Sequence, residues 1–410
     1  MKRYHVPEIS AGVFSVGVKD WNRRLFDSLI PTPQGTTYNS YLIKGKNKTA
    51  LVDTVCPGFE TQFVEKINQV ADVNNIDYLI MNHAEPDHAG SIPTIMGASK
   101  KTILVTTEKG AKLAQTFYHV PVEKIKIVKH GETIDLGGKT LKFIEAPWLH
   151  WPETMFTYLV ESKTLFPCDF FGAHVTEGTY DDEADDLLSY AKKYYGEIMM
   201  PFNRMGKSAL DKMKDLEIEM IAPSHGPIYK NPERILSEYR KWTAGETKEK
   251  VLIVYVSMWK ATESMVQTMI DTLVSEEIEV SFYNLANADL GDVAKDLVDA
   301  RAIVLGAPTV LAGMHPLAVY GSYLVKALRP PLKYGVLLSS YGWNGGALKQ
   351  AGEILGPLNI EVVSTLEVNG PPTAEDHKKI IEIGKQLAQK IKSSSAEKKP
   401  LTSKATVSTG

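Results

Sequence analysis

Cysteine is nearly missing from this 410-residue sequence: Cys56 and Cys168 are the two present. That excludes a disulfide scaffold, a tetracysteine zinc or iron–sulfur site, and a C-x-x-C redox pair. If the protein handles electrons, another cofactor must carry them. Long apolar runs are also lacking, since nowhere do about eighteen apolar residues follow one another, and Met1 to Ser10 has no apolar core of the kind a secretory signal needs. A cytoplasmic chain with no membrane role is expected. Neither sign of charge is in excess; the net charge of -3 provides no global attraction to nucleic acid. No Gly-x-Gly-x-x-Gly is present, which disfavours a bound dinucleotide. What remains is an ordinary globular composition, 43% hydrophobic and 23% charged. The length exceeds that at which one hydrophobic core usually stops growing, so two domains are expected.

The first half reads as short strands between turn residues: Ser40 to Leu42, Ala50 to Asp53, Tyr78 to Met81, Thr102 to Val105, Leu141 to Ile144 and Phe156 to Val160. Gly58 to Val70 carries helical spacing. The polar stretch Thr243 to Lys250 changes the pattern and sets the boundary, giving domains over 1–248 and 249–392. Beyond it, VLIVYV, EVSFYN, AIVLGAP, YGVLLSS and Val362 to Leu366 alternate with helical segments. Five such strands predict a parallel, doubly wound sheet. Residues 393–410 are rich in Ser, Lys and Thr without apolar periodicity and are expected to form a disordered tail.

The strongest chemical signal is His83-Ala84-Glu85-Pro86-Asp87-His88, directly after the apolar run YLIM. Four ligand-type side chains leaving one strand end can converge on one small volume. Downstream, His150 in LHWPE, Asp169 in FPCDFFG and His225 in APSHGP each follow or adjoin an apolar run. Together they supply four imidazoles and three carboxylates, a set suited to two metals sharing a bridging carboxylate. Order and spacing resemble the metallo-β-lactamase fold, a four-layer αββα sandwich whose hydrolytic members read H-x-H-x-D-H, then His, Asp and His. Glu85 replaces the second His of that pattern. An anionic oxygen in place of a neutral imidazole hardens the site and shifts preference from zinc toward iron or manganese.

In the second half, Ser257-Met258-Trp259-Lys260-Ala261-Thr262-Glu263 joins a strand to a helix start, where free backbone N–H groups and two hydroxyls suit a phosphate. Two later loops end the third and fourth strands, where ligands sit in such sheets. One runs Gly306 to Gly313 and includes Pro308, Thr309, Val310, Leu311, Ala312 and Gly313; the other runs Ser339 to Gly346 and includes Ser340, Tyr341, Gly342, Trp343, Asn344 and Gly345. Gly-rich backbone beside an aromatic suits a flavin ring. These loops resemble flavodoxin, which binds flavin mononucleotide (FMN).

Joined to the Glu-substituted metal pattern, the whole resembles the flavodiiron proteins, or A-type flavoproteins, over about residues 3 to 392; GTTYNSYLI, LVDT, HWPETMF and SMW belong to the likeness. The resemblance implies that His83, Glu85 and His150 bind one iron, that Asp87, His88 and His225 bind the other, and that Asp169 bridges them. It places His174 and Tyr195 near the substrate pocket and makes Asp53 a buried supporting residue rather than a ligand. It implies reduction of dioxygen to water, of nitric oxide to nitrous oxide, or both, with four electrons stored in two ferrous ions and one reduced FMN. An external donor, a rubredoxin or a reduced deazaflavin coenzyme, is implied, as is a head-to-tail homodimer or a dimer of dimers. Two other classes compete: a zinc hydrolase fused to a flavodoxin-like module, opposed by Glu85, and a non-enzymatic flavoprotein, opposed by the full ligand set. DDEADD at 181–186 reads as a solvated helix start, and His119, His130, His315 and His377 carry no assigned role.

Overall fold

The structure, a computed structural model, describes residues 4–396. The chain divides into two compact units, Met1–Ala244 and Gly245–Gly410. In the first, strands Tyr41–Lys44, Thr49–Val52, Tyr78–Ile80 and Ile103–Thr106 are consecutive neighbours in a seven-stranded sheet. Period-two alternation sorts their side chains. Leu42, Leu51, Leu79 and Leu104 join Phe63, Ile67, Ile92 and Ile95 of helices Glu60–Ile67 and Ile92–Ala98 in one cluster. Tyr41, Ile43, Ala50, Val52, Ile80 and Val105 cluster instead with Leu141, Phe143, Met155, Leu159 and Phe166. These last belong to a five-stranded sheet ordered Thr133–Asp135, Thr140–Glu145, Met155–Leu159, Thr164–Phe166, Met220–Ile221. Beyond that sheet, Phe156 stacks on Phe170 at 5.6 Å between centroids, and Phe170 meets Tyr239 of helix Pro232–Thr243 at 4.8 Å. The layers are therefore helix, sheet, sheet, helix. Each fully buried Leu or Phe contributes roughly 1.5–3 kcal/mol to holding them together.

The second unit has five parallel strands ordered Glu279–Asn284, Lys250–Tyr255, Ala302–Val310, Tyr334–Tyr341, Glu361–Asn369. In sequence terms the order is 2-1-3-4-5, the flavodoxin-like doubly wound arrangement, whose switch point lies between the first and third strands. Val251, Ile253, Val304 and Val336 pack with Met265, Met269, Ile383 and Leu387 in the core. At the start of strand Lys250–Tyr255, buried Lys250 donates to Asp296 at 2.7 Å, and Asp296 also accepts from the Tyr283 hydroxyl at 2.7 Å.

One expectation is corrected at the C-terminus. The sequence pattern predicts a tail from Ser393, but helix Ala374–Ala396 runs through its first four residues. Ile380, Ile383, Leu387 and Ile391 recur at helical spacing and are buried, and this anchored stripe carries the helix onward. The Ser393 hydroxyl donates to the Gln389 carbonyl at 2.8 Å within it. The rest of the expected tail, 397–410, lies outside the described residues. Among the described residues, no helix is long and apolar enough to cross a membrane.

Candidate di-metal centre and flavin site

Strand ends supply most of the first site. Asp53 follows strand Thr49–Val52, the 83–88 hexad follows Tyr78–Ile80, Asp169 follows Thr164–Phe166 and His225 follows Met220–Ile221. His150 comes from the loop between Thr140–Glu145 and Met155–Leu159. Parallel pairing of Thr49–Val52 with Tyr78–Ile80, and of Thr164–Phe166 with Met220–Ile221, brings the carboxyl ends of each pair to one edge.

The seven side chains form two groups that meet at Asp169. Around its Oδ2, His83 Nε2 lies at 3.4 Å and His150 Nε2 at 3.5 Å. Glu85 Oε2 is 3.2 Å and 2.9 Å from the same two nitrogens. Around Oδ1, His88 Nε2 lies at 2.8 Å and His225 Nε2 at 3.5 Å. Asp87 Oδ2 is 3.1 Å from each of these. The ligand atoms of His83, Glu85, His150 and Asp169 lie within 4.8 Å of one another, as do those of Asp87, His88 and His225. Yet both oxygens of Asp87, both of Asp169 and both nitrogens of His88 are buried without a hydrogen-bond partner. Polar atoms this close, buried and not aligned on one another present their lone pairs to a common point, as a metal requires. Imidazole and carboxylate in this ratio suit iron.

Charge within the cluster is mutually sustaining. Burial pushes the His88 imidazolium down, but Asp169 and Asp87 outweigh it and bring the group up to about 9. At His83, too, burial opposes the charge, and Glu153 and Glu85 raise the group well above the usual imidazole range. Burial would raise Asp169; His88 and His83 hold it well below the usual carboxylate range. A cation entering here displaces protons from imidazole.

Three supporting contacts were not assigned from sequence. Buried Glu153 accepts from His83 Nδ1 at 2.8 Å and from the Ala84 N–H at 2.9 Å, turning Nε2 toward the cluster. Its signal was an acid three residues after His150. The Thr37 carbonyl accepts from His225 Nδ1 at 2.5 Å, and the Thr36 hydroxyl lies 2.9 Å from His174 Nδ1 and 3.2 Å from His225 Nδ1. Asp53 accepts from the Asn82 N–H at 2.8 Å and its side-chain amide at 3.1 Å; burial raises its carboxyl to about 6.

His174 sits 4.9 Å from His225, ring to ring, and burial keeps it neutral. Tyr195 is a correction: its hydroxyl donates to Asn203, and its ring packs on Tyr239 and Trp242. The preceding residue, Tyr194, is the tyrosine that meets His174 at 4.9 Å and His225 at 5.7 Å. One residue is about 100° of helix rotation, enough to exchange the faces. Phe26, 4.6 Å from His174, and Trp151, 5.2 Å from His83, complete an aromatic wall.

In the second unit a cavity of about 320 Å³ opens where the parallel strands end, within the usual size range of ligand sites. Ser257, Met258, Trp259, Ala261 and Thr262 line it with Pro308, Thr309 and the run Ser340, Tyr341, Gly342, Trp343. The Thr262 and Ser340 hydroxyls are 2.9 Å apart at the start of helix Ala261–Ser275. Trp259 and Trp343 are 88% and 89% exposed, leaving two aromatic faces free for a flat ring. Other expected contacts lie off this wall. Lys260 takes φ 65° as the helix cap. Val310 and Gly313 pair in a hairpin whose tip is Leu311 and Ala312, and Asn344 and Gly345 do not line the cavity. Gly370 and Pro371, after the last strand, do line it; their signal was a turn dipeptide at a strand end.

A four-layer sandwich with a seven-ligand double cluster, together with a flavodoxin-like unit, defines a metal- and flavin-dependent redox protein. Residues 36–226 match the family model described as ODP family beta lactamase. The chain is 39% identical to the nitric oxide reductase of Moorella thermoacetica, over 93% of this chain and 98% of that one. It is 33% identical to the coenzyme F420H(2) oxidase of Methanocaldococcus jannaschii, over 96% and 99%. Among solved structures, rubredoxin oxygen:oxidoreductase from Desulfovibrio gigas superposes with a TM-score of 0.93 at 29% identity, covering 96% of this chain and 100% of that one. The flavodiiron protein from Giardia intestinalis gives 0.92 at 27%, covering 97% and 99%. The chain belongs to the flavodiiron proteins.

Proposed function

We propose that this protein reduces dioxygen to water, nitric oxide to nitrous oxide, or both, at a non-haem di-iron site, with FMN relaying electrons from an external donor. The observation that carries the reading is the division of the cluster at Asp169, one carboxylate oxygen facing each trio of ligands. In this reading domain 1–248 holds iron through His83, Glu85 and His150 and through Asp87, His88 and His225, with Asp169 between them. Domain 249–392 holds FMN. When bound, the irons and the flavin supply the electrons.

The chain's own residues supply position and protection. Glu153 and the Thr37 carbonyl orient His83 and His225. Phe26, Tyr194 and Trp151 limit water beside the cluster. With Thr36 at Nδ1, the buried and unpartnered Nε2 of neutral His174 can donate to a substrate oxygen. Ser257 and Thr262, at a helix start, suit the FMN phosphate, and Trp259 and Trp343 suit its ring.

The donor is a rubredoxin or a reduced deazaflavin coenzyme, the first supported by the name of the D. gigas protein and the second by that of the M. jannaschii relative. Action is cytoplasmic. The working form is a head-to-tail homodimer, or a dimer of dimers, in which the FMN of one chain serves the irons of its partner. Exposed Trp259, Leu311 and Trp343 beside the flavin cavity provide apolar surface for such an assembly to cover.

The purified protein is expected to hold about two irons and one FMN per chain and to consume dioxygen or nitric oxide when given a reductant. Zinc without iron, together with hydrolytic turnover, would overturn the reading. The dimer is tested by pairing Asp169→Ala with a Thr262/Trp343 double substitution. A mixed dimer that keeps one FMN and one metal pair yet stays inactive refutes transfer between chains.

A further inference from the structure

A second cavity of about 320 Å³ lies in the first unit, lined by none of the seven ligands, and its wall is unusual in charge. Lys19, Lys66 and His5 line it, together with uncharged polar groups such as Ser15, Gln62 and Thr179, and among the described residues no carboxylate does. The Lys19 ammonium donates to the Thr176 and Gly178 carbonyls at 2.7 and 2.6 Å. Lys66 donates to the Gly17 carbonyl. Each ammonium has three donors; Lys19 spends two on these carbonyls and also lies over the Trp21 ring, 5.3 Å from its centroid, while Lys66 spends one and keeps two for a ligand. Among the described residues, no carboxylate lies within ion-pair distance of either lysine. Burial pushes Lys66 down to about 8, with the charge of Lys19 adding to it. Burial also lowers Lys19, against the longer-range field of Glu183.

Two half-buried ammonium groups that oppose one another, with donors to spare and no counter-ion, are stabilised together by one anion placed between them. We propose that this cavity binds a small oxyanion, of the phosphate or carboxylate type, between Lys19 and Lys66. The volume, about 320 Å³, corresponds to about ten waters at roughly 30 Å³ each, room for a small oxyanion together with bound water. The position is also informative. Thr37 and Gly226 form part of the wall. Gly226 N–H donates to the Thr37 hydroxyl at 2.7 Å, and the Thr37 carbonyl holds His225. The site therefore backs directly onto the backbone that orients one of the cluster imidazoles.

The test is calorimetric titration of the full-length holoprotein at constant ionic strength with inorganic phosphate and, separately, with succinate. Saturable binding near one per chain of at least one probe is expected, and the better probe identifies the class. Lys19→Met and Lys66→Met, which keep the apolar stem but not the charge, should each weaken binding by about tenfold or more. Lys139→Met removes another lysine that caps a backbone carbonyl, that of Ala11, and should leave binding unchanged. No saturable binding of either probe, or equal binding in both lysine variants, overturns the proposal. Should the variants fail to fold, acetylation mapping of the wild-type chain decides: the probe must protect Lys19 and Lys66 and not Lys139, and absence of that protection overturns it equally.

Discussion

Replacing Glu153 by glutamine tests how the charge of a buried helper controls the metal cluster. Glu153 is 1% exposed, and its Oε1 accepts from both His83 Nδ1 and the Ala84 N–H. Burial pushes its carboxyl up, but His83 outweighs that and holds it below the usual carboxylate range, so the group is ionised. Glutamine keeps an acceptor oxygen in the same place and removes the charge. Charged hydrogen bonds contribute roughly 1.5–3 kcal/mol and neutral ones roughly 0.5–1.5, so each of the two bonds weakens by about 1 kcal/mol. A loss of about 2 kcal/mol is about 30-fold in affinity, inside the ~10–100-fold range for outer ligand partners. Iron affinity should be measured by anaerobic competition with a ferrous chelator, with FMN content as the control for folding. Glu153→Leu, which leaves two buried N–H donors without acceptors, should lose more. A folded Glu153→Gln protein that holds iron within about twofold of the parent would refute the reasoning, because the charge would then do nothing through His83.

Glu85→His should lower iron retention on the order of tenfold while FMN content stays constant, since one anionic ligand is lost; equal iron content and equal turnover of both gases would show that Glu85 is not an iron ligand. Thr262→Val should weaken FMN binding about tenfold through a lost hydroxyl bond, read by flavin fluorescence, with iron content unchanged. Lys250→Met should destabilise the second unit by about 3–5 kcal/mol near neutral pH, because Asp296 and Asp299 lose the buried ammonium between them. At Lys250, burial is outweighed by Asp296 and the pKa is raised, so its contribution is present below about pH 10.4 and is lost as pH rises through the folded value. At Asp296, burial is outweighed by Lys250 and Tyr283 and the pKa is lowered, so its contribution is present above about pH 3.9 and is lost as pH falls through the folded value. The stability difference between variant and parent should therefore be a plateau between those limits, and a difference that does not shrink at both extremes would contradict the pairing.

Much of the site was legible because its signals are local. The hexad His83 to His88 leaves a single strand end, so four side chains share a neighbourhood whatever the rest of the chain does. The five apolar strands of the second unit are each written in a few consecutive residues, and their alternation with helices suffices for a parallel sheet. The substitution at Glu85 is likewise a matter of one residue's chemistry. What the chain alone left undecided depends on contacts between distant segments. His225 is held by Thr37, and His174 meets Thr36, through approaches across most of the first unit. The choice of Tyr194 over Tyr195 turns on helix phase, and the reach of the last helix past Ser393 depends on Ile391 being buried against the sheet unit. The two lysines that share a cavity, Lys19 and Lys66, stand on a short strand and a helix whose separate patterns carry no sign of their meeting. Residue type and periodicity determine which chemistry is available, since both act over a few bonds. Which imidazole faces which carboxylate oxygen, and which charge is left without a partner, is decided only when the two sheets close and bring those segments within a few ångströms.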